Sequence, residues 1–294
     1  MSSSRSIDPL DLVRRARDGG YAVGGFNMHN PETTQALLLA AERADAPVFM
    51  QIGRAVIPHM GIDDAYEMTK KELDRSDAAA VIHLDHGTLD EVHRAFELGF
   101  DSIMFDGSHL PFEQNVEATK QVVKEAHERG IPVEAELGSI PDAAEDIRWE
   151  DHYTKVEEAE AFVKETGVDL LAISAGVMHG VTASAPLPLA IDRIRQIRDK
   201  VGVPLVLHGA SGVPTDDVRQ AILAGVHKLN ADTDLRHAFR AGIERMWAQG
   251  DRQLEAAMAE GRRLMIDATI GKMREFGCDG KAAGASAEQQ AVSS

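Results

Sequence analysis

Two imidazoles and one carboxylate stand together at the end of an apolar run, where His83, Asp85 and His86 follow the run that ends at Ile82. A pleated strand places the side chains of His83 and Asp85 on one face, and the turn at Gly87 lets His86 point over the strand end. Burying three such groups costs free energy unless they are paired, protonated or bound to a metal. Histidines near a strand end are often only structural, so recurrence of the pattern decides between structure and chemistry.

The histidine–glycine pair recurs along the chain. His86 precedes a glycine, and His179 and His208 do the same, each directly after an apolar run. Three neutral imidazoles with one open position are a typical arrangement for a catalytic zinc ion. A structural zinc ion would more often have four ligands, thiolates among them, and the single cysteine, Cys278, is remote in sequence. The sequence therefore predicts a metal site held by these histidines, against the alternative of three unrelated core histidines.

The elements that must position these histidines are short apolar runs alternating with longer amphipathic segments. The predicted strands are 22–26, 48–52, 80–84, 102–105, 133–137, 170–174, 205–207 and 226–229. The predicted helices between them include 31–43, 89–98, 112–129, 155–166, 189–200 and 215–223. This alternation predicts an α/β fold, a (β/α)8 TIM barrel, with a helical C-terminal extension over 234–275. The alternative is a doubly wound open sheet, but no Gly-x-Gly-x-x-Gly motif follows the first strand.

Polar residues cluster at the predicted carboxyl ends of the strands, which is where the active sites of TIM barrels form. They are Asn27, Asp85, His86, Asp106, Glu134, Glu136, His179, His208 and the segment 230–233. We expect residues 1–280 to form one barrel domain that includes the C-terminal helices. Residues 281–294 are mostly Ala, Gly, Ser and Gln, and we expect a disordered tail there.

Composition limits the partners and the compartment. The 294 residues include 31 basic and 48 acidic side chains, and the net charge of −17 argues against nucleic acid or an anionic membrane as a partner. An anionic substrate would then need local positive charge from a metal ion, helix N-termini or a few basic side chains. One cysteine excludes an internal disulfide, and no signal-like or membrane-spanning run occurs, so we expect a cytoplasmic protein.

Small residues follow predicted strands 7 and 8 in two tight turns. The first turn contains Gly209, Ala210 and Ser211, and the second runs over 230–233. Small residues let backbone N–H groups approach a ligand, and these two loops are the usual phosphate site of a TIM barrel. Ser211 and Thr233 can add hydroxyl donors. Either turn alone could be an ordinary βα connection, but two of them beside a histidine favour phosphate binding.

These motifs together resemble the class II, metal-dependent fructose-bisphosphate and tagatose-bisphosphate aldolases. The resemblance runs in order from about Leu12 to Lys281. It rests on Phe26-Asn27, His83-Leu84-Asp85-His86, Glu134-Ala135-Glu136-Leu137-Gly138, His179-Gly180, His208-Gly209-Ala210-Ser211-Gly212, Asn230-Ala231-Asp232-Thr233-Asp234 and Gly277-Cys278-Asp279-Gly280. It implies a phosphorylated sugar as substrate and a homodimer or homotetramer.

The resemblance also implies roles for single residues. His86, His179 and His208 would bind zinc, with cobalt or manganese as alternatives, and Glu136 and Asp106 match an alternative or second metal position. Asp85 would be the acid/base at the carbon being cleaved. The implied substrate-binding positions, with a monovalent cation near the phosphate, are Asn27, Gly180, Gly209, Ala210, Ser211, Asn230, Ala231, Asp232 and Thr233.

The chemistry of aldol cleavage agrees with these residues. Cleavage leaves a carbanion beside a carbonyl, and zinc chelated by the carbonyl and adjacent hydroxyl oxygens spreads that charge as an enediolate. Asp85 then acts as a general acid/base on the reacting oxygen. The other solution is a Schiff-base lysine, but no lysine occurs in predicted strand 6, and we expect Lys228 to be a packing or surface residue.

Three places depart from the family's pattern and bear on the substrate. Arg54 follows strand 2 where a Ser or Thr is usual, and it either contacts an anionic group of the substrate or lies on the surface. The loop over 139–146 lacks the usual glycines, and an acid/base role there falls to Glu145 or Asp146, with Glu145 preferred. Val177 stands where a polar residue commonly precedes the strand 6 histidine.

The sequence therefore predicts a zinc-dependent aldolase that cleaves a ketose 1-phosphate or 1,6-bisphosphate to dihydroxyacetone phosphate and an aldehyde. Two alternatives stay open. One is a related metal-dependent aldolase for an unphosphorylated or carboxylated ketose that Arg54 recognises. The other is a non-catalytic, sugar-phosphate-binding relative.

Overall fold

Eight parallel strands form a closed barrel in chain order in the computed structural model, which describes residues 7–138, 152–176, 189–250 and 253–282. The strands are β1 Val23–Asn27, β2 Val48–Gly53, β3 Ala80–Gly87, β4 Ser102–Phe105, β5 Val133–Leu137, β6 Leu170–Ile173, β7 Leu205–Leu207 and β8 Val226–Asn230. Strand β8 pairs with β1 and closes the sheet on itself. This closure confirms the predicted (β/α)8 barrel and excludes the open doubly wound sheet.

Eleven helices lie in the described ranges. They are α1 Pro9–Gly19, α2 Pro31–Ala44, α3 Ile57–Met60, α4 Ile62–Leu73, α5 Leu89–Leu98, α6 Phe112–His127, α7 Val156–Thr166, α8 Ile191–Val201, α9 Thr215–Ala224, α10 Thr233–Ala248 and α11 Leu254–Glu275. The region predicted as helical over 234–275 is thus two helices. They are separated near Gly250, whose φ of 85° suits glycine and breaks the helix.

Local capping explains why the barrel helices begin where they do. The Asn30 side chain accepts from the backbone N–H of Thr33, and the Thr33 hydroxyl accepts from the backbone N–H of Asn30. Thr88 and Glu91 form the same reciprocal pair at the start of α5. Each pair satisfies backbone donors that the first helical turn leaves without partners. The predicted helix starts near these residues therefore have a direct physical basis.

The C-terminal helices pack against each other and against the barrel. Helices α10 and α11 cross at Gly242 and Gly261, where a Cβ on Gly242 would lie 2.6 Å from the Cα of Gly261. Beyond α11, the backbone N–H of Gly280 donates to the carbonyl of Ala44 at 2.9 Å. The chain therefore stays attached to the end of α2. Residues 283–294 of the predicted tail lie outside the described residues.

The barrel interior is apolar except for a few charged side chains near its centre. Every residue of β3 and β5 is buried, as expected for parallel strands covered on both faces. Lys228 on β8 has no exposed surface. Lys228 was predicted to be a packing or surface residue. The surface position is wrong, because its ammonium group is paired inside the barrel. No helix in the described ranges is long and apolar enough to cross a membrane.

Candidate active site

A local irregularity at the end of β3 brings two consecutive side chains to one place. His86 has a φ of 52°, a left-handed conformation that is uncommon for residues other than glycine, and the β3–β4 register shifts between Leu84 and Gly87. Successive residues of a regular strand point to opposite faces, but a bulge re-aims a side chain. Asp85 and His86 consequently both offer ligand atoms to the same small group.

The third member of that group comes from the far side of the barrel. His208 follows β7, and ligand atoms of Asp85, His86 and His208 all lie within 4.8 Å of one another. The two imidazole rings are 4.6 Å apart between centroids and steeply inclined. Buried imidazoles that meet beside a carboxylate fit a divalent cation, since such donors are common ligands of zinc and related metals. His179, the other predicted ligand, lies outside the described residues.

A second group of potential ligands shares His86. It consists of His86, Asp106 and Glu136, whose ligand atoms also lie within 4.8 Å of one another. His86 Nδ1 and Asp106 Oδ2 are 2.6 Å apart. Oε2 of Glu136 is buried without a hydrogen-bond partner in the described part of the chain. Since buried carboxylate oxygens are nearly always bonded, this oxygen also fits a site for a cation.

The charges of the two groups are strongly coupled. Burial alone would raise the pKa of Asp85, but His86, His208 and nearby Lys228 outweigh it and lower that pKa to about 2. Burial alone would lower the pKa of His86, but the carboxylates of Asp85 and Asp106 outweigh it and raise that pKa to about 9. Asp85 is therefore an ionised carboxylate at neutral pH, although its side chain is largely buried.

Two buried groups have protonation states set mainly by burial. Burial lowers the pKa of His208, which keeps the imidazole neutral and able to bind a metal. Burial raises the pKa of Glu136 to about 8, so the metal-free protein holds a neutral carboxyl there at pH 7. A cation at the second group would have to displace that proton.

Asn27 holds the carboxylate of Asp85 in place. Its amide Nδ2 donates to Oδ2 of Asp85 at 2.9 Å. β1 places Asn27 beside Gln51 of β2, and β2 in turn pairs Gly53 with Asp85 of β3. The structure thus puts Asn27, predicted as a substrate-binding residue, in contact with the candidate base as well as in the pocket wall.

One pocket opens above these side chains. It is lined by Asn27, Arg54, Ala55, Asp85, His86, His208, Gly209, Ser211, Asn230, Asp232, Thr233 and Arg236. Ten of these twelve are predicted site residues. Asp106 and Glu136 lie next to His86 and are absent from this lining. Gly180 and Glu145 fall outside the described residues, as does Val177.

Ala210 and Ala231 border the pocket without lining it. The backbone N–H of Ala210 donates to the carbonyl of Asn230 at 2.9 Å, and that of Ala231 donates to the carbonyl of Gly25 at 3.1 Å. Both amides are therefore used in holding the barrel ends together. This pairing leaves neither amide as a donor for a phosphate, although both residues keep the turns narrow.

The pocket wall formed by the loops after β7 and β8 suits an anion. The long helix α10 begins at Thr233, and the N-terminus of a helix attracts negative charge. Asp232 just before it is held from both sides, with its carboxylate oxygens 2.8 Å from His29 Nε2 and 2.8 Å from Arg236 Nε. Its negative charge is thereby compensated by the guanidinium of Arg236.

Arg54 and Arg236 are the two guanidinium groups in the pocket wall, and they differ in their partners. Arg236 is paired with Asp232. Arg54 makes neither a hydrogen bond nor an ion pair to any other described residue, and its charge acts to lower the pKa of Glu136. An exposed guanidinium that faces a pocket without a carboxylate partner can bind an anionic group of a ligand.

Several residues of the site had no assigned role in the sequence analysis. Glu134 and Lys228 form a buried ion pair beneath His208, His29 contacts Asp232, and Arg236 reaches the pocket from α10. Two signals were available. Glu134 shares a strand face with Glu136, and Arg236 lies one helical turn after Thr233. Nothing in the local sequence around Lys228 indicates that its partner is on β5.

Comparison with known proteins identifies the family. The model of the family described as fructose-bisphosphate aldolase class-II matches residues 8–281. Fructose-bisphosphate aldolase of Geobacillus stearothermophilus is 39% identical, with 94% of this chain and 99% of that protein covered. Sulfofructosephosphate aldolase of Alkalicoccus urumqiensis is also 39% identical, with 94% and 98% covered.

A solved structure agrees with these relatives. The crystal structure of the YdjI aldolase from Escherichia coli K12 superposes with a TM-score of 0.84 at 34% identity, over 94% of this chain and 99% of that one. The chain therefore belongs to the class-II fructose-bisphosphate aldolases, a family of metal-dependent aldehyde-lyases of carbohydrate metabolism.

Proposed function

We propose that this protein is a zinc-dependent aldolase that reversibly cleaves a ketose 1-phosphate or 1,6-bisphosphate to dihydroxyacetone phosphate and an aldehyde. The observation that carries the proposal is the meeting of Asp85, His86 and His208 in one buried group under an anion-suited pocket. The names of the relatives, fructose-bisphosphate and sulfofructosephosphate aldolase, support a phosphorylated ketose.

His86 and His208, with His179 from outside the described residues, would hold the metal ion. Asp106 and Glu136 offer an alternative or second position that shares His86. A divalent ion bound there supplies Lewis acidity that stabilises negative charge on a substrate carbonyl oxygen. Zinc suits imidazole ligands, and cobalt or manganese would be accepted by the same donors.

Asp85 is the proposed acid/base. Its carboxylate is ionised at neutral pH and therefore free to accept a proton, and a hydrogen bond from Asn27 holds it in place. In cleavage it accepts the proton of the hydroxyl on the carbon that becomes the aldehyde. The carbon–carbon bond then breaks, and its electron pair stays on the fragment that carries the carbonyl. In condensation the same carboxyl returns the proton. For the fragment that carries the carbonyl, we propose Glu145 as the acid/base at the carbon that keeps the electron pair.

The phosphate of dihydroxyacetone phosphate is proposed to bind at the loops after β7 and β8. Gly209, Ser211 and Thr233 line that side of the pocket, and α10 begins there, so the positive end of its dipole lies beside the proposed phosphate. Gly180 and a monovalent cation would complete this subsite. Assembly as a homodimer or homotetramer in the cytoplasm belongs to the same proposal.

A second candidate is favoured by one observation, the pocket-facing Arg54 without a partner among described residues. It would admit a ketose whose far end carries another anionic group or a carboxylate. A non-catalytic, sugar-phosphate-binding role is the third candidate, and the ionised, well-held Asp85 weighs against it.

The experiment is a substrate panel on purified protein that has been stripped with a chelator and reloaded with zinc. We expect zinc-dependent cleavage of fructose or tagatose 1,6-bisphosphate, and exchange of a prochiral proton of dihydroxyacetone phosphate into solvent. Asp85→Asn should lower the cleavage rate by about 100-fold or more while zinc content is retained. Reloaded protein that neither cleaves any member nor exchanges the proton would refute the proposal.

A further inference from the structure

We propose that Glu134 and Lys228 are positioning residues for His208, in a relay in which Lys228 holds the carboxylate and the carboxylate holds the imidazole. The inference rests on the proposed function only in taking His208 as a metal ligand. It assigns a role to an ion pair that does not line the pocket, and of its two residues only Glu134 belongs to a family motif.

The contacts form an unbroken chain across three strands. Lys228 Nζ on β8 lies 2.8 Å from Oε2 of Glu134 on β5, and Oε1 of Glu134 lies 3.0 Å from Nε2 of His208 after β7. All three side chains are at most 2% exposed. Because these side chains are almost completely shielded from water, each polar group depends on its protein neighbour for a hydrogen-bond or ion-pair partner.

Other neighbours do not replace either contact. Asn230 Nδ2 lies 3.2 Å from Nε2 and 3.3 Å from Nδ1 of His208, but an amide N–H only donates and cannot accept the imidazole N–H as Glu134 can. His83 Nε2 is 3.8 Å from Oε2 of Glu134, too far for a hydrogen bond, and its Nδ1 is 2.8 Å from the hydroxyl of Ser102. Gln51, in the amide orientation that satisfies its surroundings, accepts from Lys228 Nζ at 3.2 Å. Lys228 is therefore the cation that Glu134 meets directly within the described residues.

Stability alone does not account for a buried pair of this kind. Removing an ammonium and a carboxylate from water is costly, and replacement of such pairs by apolar residues is often neutral or stabilising. The interiors of TIM barrels are normally filled by branched apolar side chains. A buried pair whose free carboxylate oxygen reaches a histidine at the active-site end therefore points to the site.

The carboxylate can select which nitrogen of His208 carries the proton. When Nε2–H donates to Glu134, Nδ1 carries the lone pair that a cation requires. Hydrogen bonds of this type orient metal-binding histidines, and loss of the partner typically weakens metal binding by about 10–100-fold. Lys228 completes the arrangement because its ammonium group, 2.8 Å from Oε2 of Glu134, holds the carboxylate in one position.

The test compares Glu134→Gln, Lys228→Met and the double variant with the wild-type, full-length protein. Zinc affinity is measured by competition with a chelator, and the melting temperature is measured with and without zinc. The visible spectrum of the cobalt-loaded protein reports on ligand geometry. The matched control is Glu260→Gln, the same substitution at a glutamate of α11 that pairs with Arg245 of α10 and with Arg263.

We expect zinc affinity to fall by about 10–100-fold in Glu134→Gln and in the double variant, with an altered cobalt spectrum. The double variant removes both charges, so its metal-free melting temperature should stay near the wild-type value. That combination separates positioning from a purely structural role. If Lys228→Met alone does not fold, Glu134→Gln and the double variant carry the comparison.

Zinc affinity and cobalt spectra within about twofold of wild type in Glu134→Gln and the double variant would overturn the inference. A wild-type protein that binds no divalent metal would instead overturn the proposed function. The two failures are therefore distinguishable in one set of measurements.

Discussion

A Cβ atom placed on Gly53 would lie 2.8 Å from the carbonyl oxygen of Asp85 and 2.9 Å from its Oδ2. The two residues are register partners in the β2–β3 pair. The strand end next to the proposed base is therefore closed to any side chain at position 53. Arg54 and Ala55, which directly follow this strand, line the pocket instead.

Gly53→Ala should impair catalysis more than folding. The added methyl group meets backbone as well as the carboxylate, so Asp85 must shift, and a misplacement of about 1 Å can lower the rate by about 100-fold. The measurements are kcat for the cleavage of fructose or tagatose 1,6-bisphosphate and the melting temperature of the protein. A variant with the kcat of wild type would contradict the close contact.

The matched control for this substitution is Gly271→Ala. Gly271 lies within α11, and a Cβ there would meet nothing within 4 Å. Replacement of a helical glycine by alanine stabilises by about 0.5–1 kcal/mol. We therefore expect a slightly higher melting temperature and an unchanged kcat in Gly271→Ala.

Metal affinity should increase with pH. In the metal-free protein the pKa of His86 is raised to about 9 and that of Glu136 to about 8, so both groups are largely protonated at pH 7. A metal ion binds only the deprotonated forms, so binding must release protons. As pH rises toward these pKa values, less work is spent on deprotonation, and apparent affinity grows about tenfold per pH unit for each proton released.

The measurement is chelator competition between about pH 6.5 and 8.5, with proton release followed in weakly buffered solution. Asp106→Asn serves as the internal comparison, because it removes the ionised partner 2.6 Å from His86 Nδ1. In Asp106→Asn the pKa of His86 should be lower than in the wild-type protein, so the increase in metal affinity should occur at lower pH. An affinity that does not change with pH in the wild-type protein would contradict the charge coupling.

Arg54 should decide the preference for an anionic group at the far end of the substrate. We expect Arg54→Ala to lower kcat/KM for fructose 1,6-bisphosphate by about 10–100-fold, the loss typical of one hydrogen-bonded charge pair. The value for fructose 1-phosphate should change by less than about threefold, since that substrate lacks the distal phosphate. Arg54→Lys should retain part of the preference because it keeps the charge without the bidentate geometry.

Arg14→Ala, at an exposed arginine on α1, is the control for loss of one surface charge. Equal losses for both substrates in Arg54→Ala would mean that the side chain supports the pocket without recognising the substrate. No loss for either substrate would place Arg54 among ordinary surface residues.

The sequence by itself determined the architecture. Buried parallel strands are continuous apolar runs, and capping pairs such as Thr88 and Glu91 mark where the helices begin. Since the carboxyl ends of parallel strands meet at one rim, the positions of Asp85 and His86 at the end of β3 and of His208 after β7 were enough to predict that they converge. The motifs around them were enough to predict the family.

The tertiary structure alone decided the details that give these residues their chemistry. The positive φ of His86 and the register shift beside it depend on pairing with β4, which no local pattern specifies. Lys228 has an ordinary strand sequence around it, and its burial is explained only by Glu134 on β5. A buried charge is tolerated through partners that are distant along the chain, so its role is readable only when both partners are in place.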